Sequence, residues 1–388
     1  MNNEFLNSAR NYFDMMVELR RELHKRPEVD RNLTFTVGLV ENYLRKLNVQ
    51  FKTYNNCAII GEIGQGDNII ALRADMDALE VIDLKQVDYK STVHGLMHAC
   101  GHDAHTSILV GAAAILKSIE DKLKGRIRLI FQPAEETDGG AKDMIELGAL
   151  EGVEAIIGLH VDETIDVGTI GVKKGVVSAA SNPFKITVQG KGAHGAYPAD
   201  GVDAIYISSK IIDGLQGLVS REISATDSAV VTVGKINGGT SPNAICSKVV
   251  IEGIIRTLGS ELREFSKERL KTIVDMTARM YRGQANIELL ESYPSFRNDG
   301  KLFEWFSNVV KECEWVNFVE IEKPMMGVED FAYYTEVVPG LYYKLGCRNK
   351  DKGIIHPAHG SYFDIDEDCL IYGAALQSMA AFKYFEML

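Results

Sequence analysis

The sequence predicts an α/β fold, a mixed sheet flanked by helices, interrupted by a smaller α+β insertion. Two observations predict it. Apolar spacing alternates between helical and strand periods before about residue 182 and again after about 292. Between them, strand, helix, two strands, helix and strand follow one another as a unit with its own apolar set. The 388 residues suit two domains. The expected boundaries are 1–182 and 292–388 for the two parts of the larger domain and 183–291 for the insertion.

Tyr12, Met16, Leu19 and Leu23 step at helical spacing, and Val37, Leu39, Val40, Tyr43, Leu44 and Leu47 give a second amphipathic helix. Cys57–Ile63 and Asn68–Leu72 are short aliphatic runs around Gly64-Gln65-Gly66, which predicts a hairpin with a glycine turn. Ser107–Ile119 is apolar and alanine-rich, hence a buried helix; Arg126–Phe131 and Glu154–Leu159 are compact strands on either side of a helix near Lys142–Leu147. In the insertion the order is FKITVQ, a helix over Ala204–Val219, AVVTVGKI, KVVIEGIIRTL, a helix over Leu262–Tyr281 and ANIELL. A helix over Leu370–Phe385 ends the pattern.

Forty-two basic against 54 acidic side chains leave a formal charge of −12, which argues against a nucleic-acid partner. Six scattered cysteines form no CxxC pair and read as reduced thiols. With no signal segment and no membrane-length apolar run, the expected compartment is the cytoplasm, and Asn32-Leu33-Thr34 is a chance sequon. Gly190–Gly195 fits GxGxxG, but Pro198 breaks the chain before a helix begins and Asp213 falls inside a helix, so a nicotinamide site is poorly supported.

The chemistry concentrates elsewhere. His98-Ala-Cys100-Gly-His102-Asp103-Ala-His105 places three of the nine histidines in eight positions, beside a cysteine and a carboxylate, before a buried helix. Thiolate, imidazole and carboxylate are the ligands of divalent transition metals, and Gly101 supplies the irregular turn that lets ligands one residue apart converge. The plain alternative is a helix N-terminus rich in polar caps. Gln132-Pro-Ala-Glu135-Glu136 follows a predicted strand, where open α/β sheets bind ligands. Adjacent glutamates on an extended turn diverge, so one holds metal while the other faces a substrate water; taken alone, the pair also reads as a solvated acidic loop. His160 ends the next strand, and three strand-end motifs together outweigh the reading of a lone core histidine. Arg73-Ala-Asp75-Met-Asp77 ends another strand, where its acids orient ligands from behind. Either His356 or His359 closes the site.

In this order, ALRADMDAL, MHACGHDAHT, FQPAEE, GLH, GKGAHGAYP, GGTSPNAI, IRTL and GVEDFA resemble the metal-dependent aminoacylase and carboxypeptidase family, in the branch of hippurate hydrolase, indole-acetyl amino acid hydrolase and N-acetyl-diaminopimelate deacetylase. The resemblance runs from Leu19–Glu28 to the C-terminal helix. It implies a phosphorylase/hydrolase-like catalytic domain and a ferredoxin-like lid that pairs two subunits into a homodimer. It implies two divalent ions per subunit, manganese or zinc and otherwise cobalt or nickel, on Cys100, His102, Glu136, His160 and a C-terminal histidine. Histidine followed by phenylalanine at four and aspartate at seven selects His359, with Phe363 and Asp366. Glu135 is then the general base, His194 donates to the oxyanion in the partner subunit's site, and Asn243 and Arg256 grip the substrate carboxylate. Glu80 and Ser361 stand where relatives usually carry proline. The implied reaction is metal-dependent hydrolysis of a small N-acyl amino acid amide, with no membrane or nucleic-acid partner. A dipeptidase or carboxypeptidase on the same machinery, or a non-catalytic metal- or amino-acid-binding homologue, are the competing readings.

Overall fold

The computed structural model describes residues 2–387. Three helices open the chain, α1 (Asn2–Asn11), α2 (Phe13–Lys25) and α3 (Thr34–Lys46), followed by strands β1 (Gln50–Tyr54), β2 (Ala58–Gly64) and β3 (Ile69–Asp75). Then come α4 (His102–Ser118), β4 (Arg126–Gln132), α5 (Ala141–Glu146), β5 (Val153–Asp166) and β6 (Thr169–Lys173). The middle of the chain holds β7 (Ala180–Gln189), α6 (Ala204–Gly217), β8 (Ala229–Gly238), β9 (Lys248–Thr257), α7 (Ser260–Met280) and β10 (Gln284–Leu289). The last part adds α8 (Gly300–Lys311), β11 (Asn317–Ile321), α9 (Phe331–Thr335), β12 (Gly340–Arg348) and α10 (Asp368–Met387).

Contacts divide the chain into two units. The larger comprises Met1–Gly175, Arg297–Lys323 and Asp330–Leu388; the smaller comprises Val176–Phe296 with Pro324–Glu329. The smaller unit thus begins seven residues before the change of texture at 183 and takes in a segment from beyond 292. In the larger unit an eight-stranded mixed sheet runs β1-β2-β4-β3-β5-β12-β6-β11. The hairpin expected of β2 and β3 is not formed. β4 lies between them, antiparallel to β2 and parallel to β3, so the edge the hairpin would have used is taken by a strand from later in the chain. β1 was not anticipated, since QFKTY at the sheet edge has no buried residue to mark it. Helix α4 is buried from His102 to Leu116 and packs against α2 and α10. Gly111 and Gly373 permit this: a Cβ on the first would meet Met16 Sδ at 2.2 Å, and on the second Ile108 Cδ1 at 2.7 Å.

The smaller unit is a four-stranded antiparallel sheet, β8-β9-β7-β10, carrying α6 and α7. Its core is its own: Phe184, Ile186 and Val188 of β7 meet Ile207, Ile211 and Leu215 of α6 and Leu270 and Val274 of α7. Each such side chain contributes about 2 kcal/mol of burial. Asp203 caps α6 by accepting from the N–H groups of Ile205 and Tyr206. Among the described residues no helix is long and apolar enough to cross a membrane.

Candidate metal centre

The carboxyl ends of β3 and β4, the middle of β5 and the start of α4 deliver the candidate ligands; His160 does not end its strand as expected, because β5 runs on to Asp166. Gly101 is left-handed (φ 89°), and a Cβ there would lie 2.3 Å from Val161 Cγ2. Only glycine lets the start of α4 sit against the strand that carries His160. As a result Cys100 Sγ lies 3.3 Å from His160 Nε2. Ligand atoms of Cys100, His102 and His160 all fall within 4.8 Å of one another, and so do those of Cys100, Glu136 and His359. Cys100 is common to both sets. A third set joins His102 to Glu135 and Glu136.

Each imidazole is held from behind. His102 Nδ1 donates to the carbonyl of Asp77 at 2.8 Å, and His160 Nδ1 to the carbonyl of Val161 at 2.6 Å, so both rings present Nε2. His102 Nε2 is buried without a hydrogen-bond partner, as is Glu136 Oε1. Two orphaned buried atoms of ligand type, 3.8 Å apart across an enclosed space, are what a divalent ion satisfies. The electrostatics agree. Burial disfavours a charged His102, yet Asp75 and Asp77 outweigh it and raise its basicity well above the ordinary value; they demand positive charge where an ion would sit. Burial pushes the Cys100 thiol far up, so a thiolate there requires a cation. Burial likewise raises the Glu136 carboxyl, against the pull of His102 and His359.

Asp75, His102 and His105 form a further close set, but His105 has no nitrogen to spare. Its Nδ1 donates to Asp75 at 2.6 Å and its Nε2 accepts from the Val161 N–H at 2.9 Å. It is a strut between β3 and β5. The two glutamates do not diverge as expected: Ala134 turns the chain at φ 55°, Asp77 fixes the turn by accepting from the N–H groups of Glu135 (3.0 Å) and Glu136 (3.1 Å), and the two carboxylates come within 4.8 Å of each other. His359, also left-handed (φ 63°), is tied by its N–H to Ala99 O at 2.7 Å and stands 3.6 Å from Glu136. His356 belongs to none of the sets and stacks on Tyr362. The Ser361 carbonyl accepts from the Leu84 N–H, so the loop is fastened without the usual proline.

Two buried clasps went unrecognised in the sequence. Arg73 bonds Gln132 (2.9 Å) and Asp330 (2.7 Å), while Asp330 also accepts from Gln132 Nε2 (2.6 Å) and Ala141 N–H (3.0 Å). Arg20 bonds Asp103 (2.9 Å) and Asp364 (2.8 Å), and His24 shares Asp103 at 2.7 Å. Arg73 was visible as a strand-end cation and Asp330 as part of GVEDFA; Arg20 had no signal beyond a helical position.

In the smaller unit His194 and Asn243 are exposed neighbours, joined where Gly195 N–H donates to Asn243 O at 2.7 Å. His194 Nδ1 accepts from the Ala196 N–H at 3.1 Å, which puts the ring proton on Nε2. Arg256, on β9, has a buried Nη1 without a partner, and burial lowers its basicity. Gly190 ends β7 in a turn, and a Cβ there would meet Val202 O at 2.1 Å; the next long helix starts at Ala204, so the GxGxxG match builds no dinucleotide site.

Comparison with known proteins points the same way. The model of peptidase family M20/M25/M40 matches residues 71–381. The IAA-amino acid hydrolase ILR1-like 4 of Arabidopsis thaliana is 39% identical over 98% of this chain and 88% of its own length. The N-acetyl-L-cysteine deacetylase of Bacillus subtilis is 40% identical over 92% of this chain and 85% of its own. Among solved structures, the YXEP protein of Bacillus subtilis, a dinuclear metal binding peptidase from M20 family, superposes with a TM-score of 0.87 at 31% identity, covering 98% of this chain and 100% of that one.

Proposed function

The chain belongs to peptidase family M20/M25/M40, and on that premise we propose that it hydrolyses the amide bond of N-acyl amino acids, releasing a carboxylic acid and a free amino acid. It is a metal-dependent hydrolase acting on small soluble amides. The observation that carries the reading is the pair of ligand sets sharing Cys100, with Glu135 beside them.

In the proposed arrangement Cys100, His102, Glu136, His160 and His359 hold two divalent ions, manganese or zinc, with cobalt and nickel also compatible with these donors. When bound, the ions supply Lewis acidity to the scissile carbonyl and acidify a water. Glu135 takes the proton of that water on its carboxylate and passes it to the leaving nitrogen. His194 donates from Nε2 to the developing oxyanion, worth about 3 kcal/mol in comparable sites. The Arg256 guanidinium and the Asn243 amide grip the substrate carboxylate, which answers the unpartnered Nη1. The smaller unit, of ferredoxin-like strand order, serves as lid and homodimer contact, and His194 acts in the partner's site. The protein works in the cytoplasm.

Metal analysis of the purified protein, coupled to a panel of N-acetyl amino acids and dipeptides, tests this. Two ions per chain and preferential turnover of the acyl amino acids are expected. Preferential turnover of dipeptides would turn the reading to a dipeptidase, and bound metal without turnover to a binding protein.

A further inference from the structure

Lys344 lies on β12 at the register position directly beside His160 of β5. Register partners on neighbouring strands put their side chains on the same face of a sheet, so Lys344 shares the face of a candidate metal ligand. On the other flank the register partner is Gly171, which has no side chain to answer a charge, and Ile165 fills the space over Gly171 and Gly346.

The other cations near the centre are neutralised within the chain. Arg73 meets Asp330, Arg20 meets Asp103 and Asp364, and Lys85 donates to Phe363 O within 3.7 Å of Asp364. Among the described residues the Lys344 ammonium has no carboxylate within ion-pair distance and makes no side-chain hydrogen bond. A partly buried ammonium beside a site that takes divalent cations is repelled by its occupants and compensated by nothing in the chain. The missing negative charge therefore comes from outside.

We propose that Lys344 determines specificity by selecting N-acyl amino acids that carry a second anionic group besides the α-carboxylate. The inference rests on the amidohydrolase reading, in which Asn243 and Arg256 already take the α-carboxylate. Lys344 is left to meet a further carboxylate, either on the amino-acid side chain or at the far end of the acyl group. Two matched pairs separate these sources: N-acetyl-L-glutamate against N-acetyl-L-glutamine, and N-succinyl-L-methionine against N-acetyl-L-methionine.

In the wild-type protein kcat/KM for the anionic member of one pair exceeds its neutral mate by about ten-fold or more, the scale of one charge-assisted hydrogen bond. Lys344→Gln collapses that ratio toward one, whatever it does to the neutral mate, and Lys344→Arg preserves it. The proposal is overturned if the wild type shows no preference in either pair, if the preference survives Lys344→Gln, or if both mates fall together with the ratio intact. Should the wild type turn over none of the four compounds, the amidohydrolase reading fails, and calorimetric titration with glutarate decides the present one. Glutarate bound by the wild type and not by Lys344→Gln upholds an anion site; equal binding to both, or to neither, removes it.

Discussion

The two units carry their functional groups in opposite states. In the larger one most candidate ligands are braced, His102 and His160 by backbone carbonyls, the Glu135–Glu136 turn by Asp77 and the frame behind them by buried ion pairs, while His359 is exposed. In the smaller one His194 and Asn243 are exposed and Arg256 has an unpartnered nitrogen. The first set is organised for ions that stay. On the proposed reading the second suits a molecule that comes and goes, because groups already satisfied internally have little to offer a substrate.

That contrast can be broken experimentally. The largest effect belongs to Glu135→Gln, which removes the proton carrier while leaving the ligands: kcat should fall by about 10³-fold with metal content unchanged. Turnover retained within ten-fold would place the base elsewhere. Asp330→Ala tests the bracing itself. It removes one ion-pair partner of the buried Arg73, which keeps Asp75, and leaves Gln132 Nε2 and the Ala141 N–H without their acceptor, so it should cost about 3 kcal/mol of stability by urea denaturation. A loss under 1 kcal/mol would mean that the clasp is dispensable.

Arg256→Ala, in the smaller unit, should lower kcat/KM by about 100-fold, mainly through KM, with stability and bound metal nearly unchanged. If metal is lost as well, the two units are not functionally separable. The smallest effect concerns Asp83, in the loop that also fastens Ser361. Burial works against its carboxylate, but His24 and the N–H groups of Ser91 and Lys85 outweigh it and hold the pKa at about 2. Because the folded value is depressed, the stabilisation is full above the unfolded value of about 4 and is lost as pH falls from there through 2. Between pH 5 and pH 2 the wild type should lose up to about 2 kcal/mol more than Asp83→Asn. Equal losses would show that the carboxylate is not anchored.

Periodicity reveals elements but not their neighbours. The helix over Ser107–Ile119 and the strands at Arg126 and Glu154 are legible because each is a long apolar run on one period. The hairpin of β2 and β3 failed because pairing depends on which edge is free, and β4, some sixty residues on, fills the gap. In the same way Pro324–Glu329 joins the smaller unit with no change of texture to announce it. At the site, Cys100, His102, Glu136 and His160 announce themselves by residue type in short motifs, though His160 lies mid-strand and not at the strand end expected. His105 has the same type and the same motif, yet both its nitrogens are spent on Asp75 and Val161, a fact carried by geometry alone. Lys344 is invisible for the converse reason. A lysine within YYKLG reads as an edge residue until the register sets it beside His160.

The place of β12 in the sheet has a consequence for how the protein is made. β12 separates β5 from β6, although it is synthesised some 170 residues after them, and His359 lies later still. On the ribosome the four-stranded sheet of the smaller unit, all of it between residues 180 and 289, emerges while the larger sheet is still two fragments and before Pro324–Glu329 joins the smaller unit. The candidate ligand set comes together only once His359 has emerged, so a half-made chain offers cellular metal an incomplete grip.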